Sequence, residues 1–400
     1  MDVWVTGMGI WTSLGRTIDD FEAALRQGRS GRRPVTRFDV SHPFYRTNEA
    51  AVLADEEHLP FELDRTRIAD LALAVTRDAL KDAGFDPSRD PERCGMALGT
   101  SHGGNIAYMK LIRGCVGDPT GEIDPTLALS CSPTVLGQVA RAVGLRGPTI
   151  TVSTACASGT NSVGRAAEMI RAGHADAMLA GGADLFTELS FSGFNVLGVM
   201  SRGACRPLDR DRDGMMLGDG AAMMLLERAD HAQSRGARPW AEIAGHAIAN
   251  EAWHPTAPRP DGSDAARVMR AALKAARMEP CDVDYINLHG TGTEANDAME
   301  LQAVKALFGE HASRILLSST KSQVGHTLGA AGSVELVATI LGIARGFAPP
   351  SIHLENPIPG FESWSYVRGV AAPAVIRAAL SNSFGFSGNL STIAVRRVSA

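Results

Sequence analysis

The sequence predicts an α/β protein built from two similar halves, and three observations carry that reading. Apolar runs of strand length alternate with longer stretches of helical periodicity. No low-complexity tract or Pro/Ser-rich linker divides the chain. Two blocks also recur in the same order. RDALKDAG (77–84), a strand and GTSHGG (99–104) have a counterpart in RAALKAAR (270–277), a strand and HGTGT (289–293). STACASGTNSVG (153–164) stands before an apolar helix, as does STKSQVGHTLGAAG (319–332). Chance likeness of short Ala/Gly-rich strings is the alternative. A real duplication divides the chain into 1–240 and 241–400, with glycine-rich strand ends able to face one shared site.

In order, β-branched and aliphatic runs predict strands over 3–6, 94–99, 149–153, 177–180, 221–226, 241–244, 285–288, 315–318, 378–381 and 391–395. Alanine- and leucine-rich stretches predict helices over 19–26, 68–83, 134–142, 159–171, 265–276, 298–308 and 329–343. The first strand leads into Gly7-Met8-Gly9, but a dinucleotide fingerprint needs glycine at position 12, which is Thr12. No phosphate-binding P-loop string is present either. The apolar stretch 336–344 lies between Glu335 and Arg345, too short for a bilayer, and reads as a buried helix.

Composition excludes whole classes. The 400 residues carry 39 basic and 44 acidic side chains, a formal net charge of −5, with 44% hydrophobic residues. Such a chain folds rather than staying disordered and has no general affinity for nucleic acid. Its length suggests two or three domains or one body with two lobes, at roughly 150 residues per domain. The first residues, MDVWVTGMGI, lack a basic stretch and do not read as a signal peptide. Six cysteines without a CxxC pair read as free thiols, so a cytoplasmic protein is expected. Many of the 42 glycines fall in short clusters beside Ser, Thr or His, which mark close backbone approach or special dihedrals.

Cys156 is the sharpest residue. It sits between a β-branched strand and an alanine-rich helix, where unpaired helix N–H groups would lower its thiol pKa. The other cysteines read as inert. His289 and His326 each follow a strand closely and lie among glycines. Neither has a metal-ligand spacing, which leaves a structural histidine or a donor to a reacting oxygen, and the donor reading is preferred. Lys321 is a surface charge or, if buried, a partner of Glu335. Asp297 and Glu300, one helical turn apart, hold a nearby donor or simply favour a helix start. SNSFGFSG (381–388) reads as a loop lending backbone N–H groups to a site, with a bulky gate. The arginines of RQGRSGRR (26–33), with Arg65, Arg67 and Arg77, form a solvated face or dock an acidic partner.

Together these segments resemble the β-ketoacyl-acyl carrier protein synthase II group of condensing enzymes. The resemblance runs from VTGMGIWTSLG (5–15) through GLRGPTITVSTACASG, RPLDRDRDGMMLGDGA and INLHGTGT to STKSQVGHTLGAAG and NSFGF. It implies a thiolase-like fold of two similar α/β halves in an α-β-α-β-α layering. It implies that Cys156 accepts an acyl chain and that His289 and His326 assist decarboxylation, with Lys321 and Glu335 in support. The N–H groups of Cys156 and Phe386 match an oxyanion hole. Thr291 and Thr293 match residues that hold the pantetheine arm, and Phe386 also matches a gate. Phe194, Thr256 and Phe384 match further substrate contacts, and Arg65 and Arg67 match a carrier-protein docking face. No cofactor or metal is implied. The partners expected are acyl carrier protein and a second subunit, as a homodimer or as a heterodimer with a chain-length factor; no membrane or nucleic acid is expected.

Three departures bear on substrate. The family's usual FGFGGTN is here Phe384-Gly385-Phe386-Ser387-Gly388-Asn389-Leu390, so Ser387 is expected to stiffen the gate. His102 stands where an aliphatic residue usually lines the acyl pocket. The stretch 200–206 is shorter than the housekeeping enzyme would have. These favour a specialised polyketide or polyene pathway over housekeeping fatty acid elongation. A non-catalytic chain-length subunit is disfavoured, because Cys156 and both histidines are present.

Overall fold

The computed structural model describes residues 1–55, 67–103, 114, 116–117 and 132–398. Its strands, in chain order, are β1 (Val3–Thr12), β2 (Arg32–Pro34), β3 (Glu49–Ala51), β4 (Cys94–Gly99), β5 (Thr149–Val152), β6 (Ala177–Asp184) and β7 (Gly220–Arg228). There follow β8 (Ala241–Asn250), β9 (Tyr285–Asn287), β10 (Leu316–Ser318), β11 (Phe347–Ala348), β12 (Ala372–Pro373), β13 (Ala378–Gly385) and β14 (Asn389–Arg396). The longer helices are α1 (Ile18–Arg26), α2 (Arg67–Ala83), α3 (Ser132–Ala142), α4 (Ser158–Arg171), α5 (Glu188–Val196), α6 (Ser263–Ala276), α7 (Glu294–Phe308) and α8 (Ala331–Arg345).

Ten strands join in the order β10-β9-β13-β14-β8-β1-β7-β6-β4-β5. Read outward from the centre, β1-β7-β6-β4-β5 and β8-β14-β13-β9-β10 repeat one topology. In each, the first three strands pair antiparallel and the last three parallel. Registers agree as well. Gly99 pairs with Val152 and Gly182, as Asn287 pairs with Ser318 and Ser381. Ser153-Thr154 and Ser319-Thr320 therefore leave equivalent strand ends, which is the alignment that the recurring blocks suggest. Among the described strands, the halves pair only through Trp4↔Glu242 and Val5↔Ala241.

Three apolar clusters give five layers. One cluster packs α2 and α3 on the outside of the first half's strands, with Leu71, Val75, Val135 and Leu179. A second packs α6 and α7 outside the other half, with Met269, Leu273, Leu301 and Leu380. Between the halves lies the third, where Val163, Ala167 and Ile170 of α4 meet Val334, Val337 and Leu341 of α8. The apolar segment Leu328–Arg345 is thus a core element, 89% buried.

Two segments differ from expectation. β1 runs on to Thr12 because Gly7 and Gly9 let α2 lie directly on it. A Cβ at either would stand 2.2 or 2.1 Å from a carbonyl oxygen of Ala79 or Val75. Most of SNSFGFSG is strand rather than loop, since β13 continues to Gly385 and pairs throughout with β14. Its glycine is not a strand breaker but a point of close approach, 3.1 Å between a Cβ there and the Cys156 backbone nitrogen. Helix α5 carries no clear apolar period; a capping box between Thr187 and Ser190 starts it.

Candidate active site

Between β5 and α4 the chain reverses over five residues and places Cys156 at the foot of the helix. Ala155 adopts φ 50°, left-handed backbone that costs a non-glycine residue about 1–2 kcal/mol. Its carbonyl accepts from Ser158 Oγ at 2.6 Å and Ser101 Oγ at 2.9 Å, which pins the turn. Cys156 itself is 9% exposed. Burial pushes its thiol up to about 11, although Lys321 and the N–H groups of Phe386 and Cys156 pull the other way. This corrects the expectation of a lowered thiol pKa. The helix-end field is present, but removal of the sulfur from water outweighs it.

The two histidines are held as hydrogen-bond donors. His326 Nδ1 accepts the Leu328 N–H at 3.1 Å, and His289 Nδ1 faces Lys321 Nζ at 3.2 Å. With each Nδ1 occupied as an acceptor, a neutral ring carries its proton on Nε2, a tautomer assigned from partners. Burial, followed by the Lys321 charge, holds both rings well below the usual histidine pKa. Their centroids stand 5.5 Å apart at 85°. A direct consequence concerns pH. If this pair assists a decarboxylation, as the resemblance implies, the rate is expected to stay level from pH 8 down through 6.5 and to fall only below it. Initial rates of carbon dioxide release across that range check this; an acid limb centred at 6.5 or above would contradict it.

Behind the histidines, charges are paired in the interior. Lys321 Nζ also donates to Glu335, and both side chains are 1% exposed. Burial raises Glu335 to about 7 against the pull of Lys321. Lys321 is therefore the buried partner, not a surface charge. Asp297 and Glu300 hold donors. Glu300 accepts the N–H groups of His289 and Gly290 at 2.8 and 2.9 Å, and Asn382 Nδ2 at 3.0 Å. Asp297 accepts those of Leu208 and Gly292 at 2.8 and 3.2 Å. No motif marks Asp184, which ties Thr100, Ser101 and His102 to Gly329 through one buried carboxylate.

One cleft gathers these groups. Cys156, Phe194, Thr256, His289, Thr291, Thr293, His326, Phe384 and Phe386 all line it. Phe194 and Phe386 meet in its wall with ring centroids 5.9 Å apart and planes tilted by 42°, and Thr291 Oγ1 lies 2.9 Å from Thr293 Oγ1. Beside Phe386, Ser387 holds φ 62° and donates its N–H to the Pro255 carbonyl at 2.7 Å. His102 is not part of the described lining; its backbone N–H goes to Asp184 at 3.2 Å. Arg65 and the side chain of Arg67 lie outside the described residues. Two arginines of the 26–33 run are committed within the protein, Arg26 to Glu22 and Arg32 to Glu49. Glu251, His254 and Pro255 also line the cleft, and no motif marked them.

A thiol, two imidazole donors and two backbone N–H groups in one cleft suit acyl transfer followed by carbanion chemistry. Comparison with known proteins agrees. Residues 1–232 match the N-terminal domain of β-ketoacyl synthases, and 240–355 match their C-terminal domain. A 3-oxoacyl-[acyl-carrier-protein] synthase 2 of Synechocystis is 37% identical, covering 99% of this chain and 98% of the relative. Among solved structures, the ishigamide ketosynthase/chain length factor superposes with a TM-score of 0.92 at 35% identity, covering 100% of this chain and 99% of that one. A type II acyl carrier protein complex with its ketosynthase, bound to a hexaketide, gives 0.91 at 31% identity, covering 99% of each chain. Two domain matches in the right order, on a cleft with this chemistry, make the chain a member of the β-ketoacyl synthase family.

Proposed function

We propose that the protein is a ketosynthase of a specialised type II polyketide, polyene or fatty-acid-like pathway. It joins an acyl-Cys156 thioester to a malonyl unit delivered on acyl carrier protein. In the first step the Cys156 sulfur attacks the incoming thioester carbonyl and the carrier thiol leaves with the proton. That exchange consumes no proton, so a buried thiol suits it. The malonyl carboxylate then leaves as carbon dioxide, and the enolate oxygen takes hydrogen bonds from Nε2 of His289 and His326. The new carbanion attacks the Cys156 thioester, whose oxyanion sits between the N–H groups of Cys156 and Phe386. Collapse breaks the C–S bond, releases the β-ketoacyl carrier and leaves a thiolate that takes a proton from solvent. The observation that carries this reading is the pair of imidazoles sharing a cleft with Cys156, each with its Nδ1 facing a hydrogen-bond donor.

Phe194, Thr256, Thr291, Thr293, Phe384 and Phe386 would hold the acyl chain and pantetheine arm. Arg65 and Arg67 would dock the carrier, in a cytoplasmic homodimer or in a heterodimer with a chain-length factor. The halves 1–240 and 241–400 would supply the thiol and the imidazoles, respectively. Housekeeping elongation is the second reading, favoured by the 37% identity to a 3-oxoacyl synthase 2. Intact-mass detection of adducts on Cys156, after incubation with saturated, unsaturated and aromatic acyl carriers, separates the two. Exclusive loading of saturated chains would overturn the specialised reading. His102→Ile is expected to shift loading several-fold toward saturated chains; an unaltered adduct profile would remove His102 from substrate selection.

A further inference from the structure

The turn that carries Cys156 is tied to the opposite half of the molecule by a line of side chains, buried at its centre, that the reaction does not use. His246 lies on β8, its side chain 1% exposed. Its Nδ1 is 3.2 Å from Glu168 Oε1, and its Nε2 is 3.3 Å from Asn161 Oδ1 and 3.2 Å from Ser391 Oγ. Asn161, near the start of α4, passes the contact on by donating Nδ2 to Thr154 Oγ1 at 2.9 Å. Thr154 begins the nucleophile's turn. It gives its N–H to Ser158 Oγ at 2.8 Å and accepts the Ala157 N–H on its carbonyl at 3.2 Å.

The fit is tight from both sides. The ring packs on Gly164 of α4, where a Cβ would stand 2.1 Å from Nδ1, so helix and ring approach only because that residue is glycine. At its outer end the line closes on Glu168, which also pairs with Arg165. The contact with His246 is the largest influence holding the Glu168 carboxyl below its usual range.

A left-handed alanine next to the nucleophile persists only where its surroundings over-determine it. Ser101 and Ser158 secure the turn at the Ala155 carbonyl; Asn161 secures it at Thr154. Without His246, the buried Asn161 side-chain amide loses a hydrogen-bond partner, whichever ring nitrogen carries the proton. Turning the amide to recover it would release Thr154. We infer that His246 is a positioning residue for Cys156, fixing through Asn161 the Thr154 end of the nucleophile's turn against the half that supplies His289, His326 and the Phe386 N–H. The inference rests on Cys156 being the acyl acceptor.

The test compares two half-reactions on the full chain. Acylation of Cys156 is followed by intact mass, and decarboxylation of malonyl carrier protein by carbon dioxide release, with Tm measured beside them. His246→Leu is expected to slow acylation about tenfold, the scale of one lost hydrogen bond at a reacting centre. Decarboxylation, which uses donors on other loops, should keep its rate. His246→Gln, which keeps a donor and an acceptor, should recover most of the loss. Asn161→Ala should slow acylation alike, and adding it to His246→Leu should cost nothing more. Acylation equal to the parent in His246→Leu overturns the inference. So does an equal fall in both half-reactions, which is what general loosening would give. A parent chain that never acylates at Cys156 overturns the proposed function and this inference with it, whereas a parent that acylates beside unaffected variants removes this inference alone.

Discussion

Cys156→Ala should abolish acyl loading and condensation while leaving the fold intact. The side chain is small, and its loss opens little space beside Ala157 and Gly385, so stability should change by no more than about 1 kcal/mol. Nothing else described in the cleft can replace it. Of the other cysteines in the described residues, Cys94 and Cys205 are buried and absent from the cleft lining, and Cys281 is exposed elsewhere. The expected result is no adduct by intact mass with any acyl carrier and no β-ketoacyl product. Normal condensation by this variant would end the mechanism. The two N–H groups that face the sulfur would remain, so the variant should still bind the acyl carrier.

The next largest effect is expected from the histidines. His289→Ala and His326→Ala should each acylate at Cys156 but lose about 10²–10³ in malonyl decarboxylation, the usual cost of one preorganised oxyanion donor. The two variants should differ in stability. Among the described residues, His326 Nδ1 accepts the Leu328 N–H, whereas His289 Nδ1 faces Lys321 Nζ. Removing His289 leaves the buried lysine with Glu335 as its remaining hydrogen-bond partner, so that variant should have the lower Tm. Carbon dioxide release with labelled malonyl carrier protein measures the first effect. Unchanged release from either variant would remove that ring from the chemistry.

Much of this was legible in the chain. The strands of the large sheet are announced by their aliphatic runs, because most of them are buried on both faces. The cleft residues are legible because chemistry needs reactive side chains with little bulk around them, hence Cys156 in CASG and His289 in HGTGT. What stayed hidden depends on distance between remote segments. Gly385 reads as a loop glycine until the Cys156 turn is seen against it. Asp184 and His246 look like ordinary core polar residues, since their partners lie in loops or helices far along the chain. The thiol pKa was misjudged for a related reason. A helix start shows in sequence, but the depth of burial that outweighs its field does not.

The seam between β1 and β8 holds only two residue pairs, so the strands do little to join the halves. Adhesion falls instead to the apolar contact of α4 with α8. One reactive group belongs to a loop at the start of α4, and the imidazoles belong to loops of the other half. The distance between them is therefore a property of how well two greasy cylinders mesh, and it carries the stiffness of a close-packed interior. A misplacement of about 1 Å between reacting atoms can cost about 10² in rate. A methyl group trimmed from Val334 or Ile170 would thus blunt turnover at temperatures where the folded population had hardly moved.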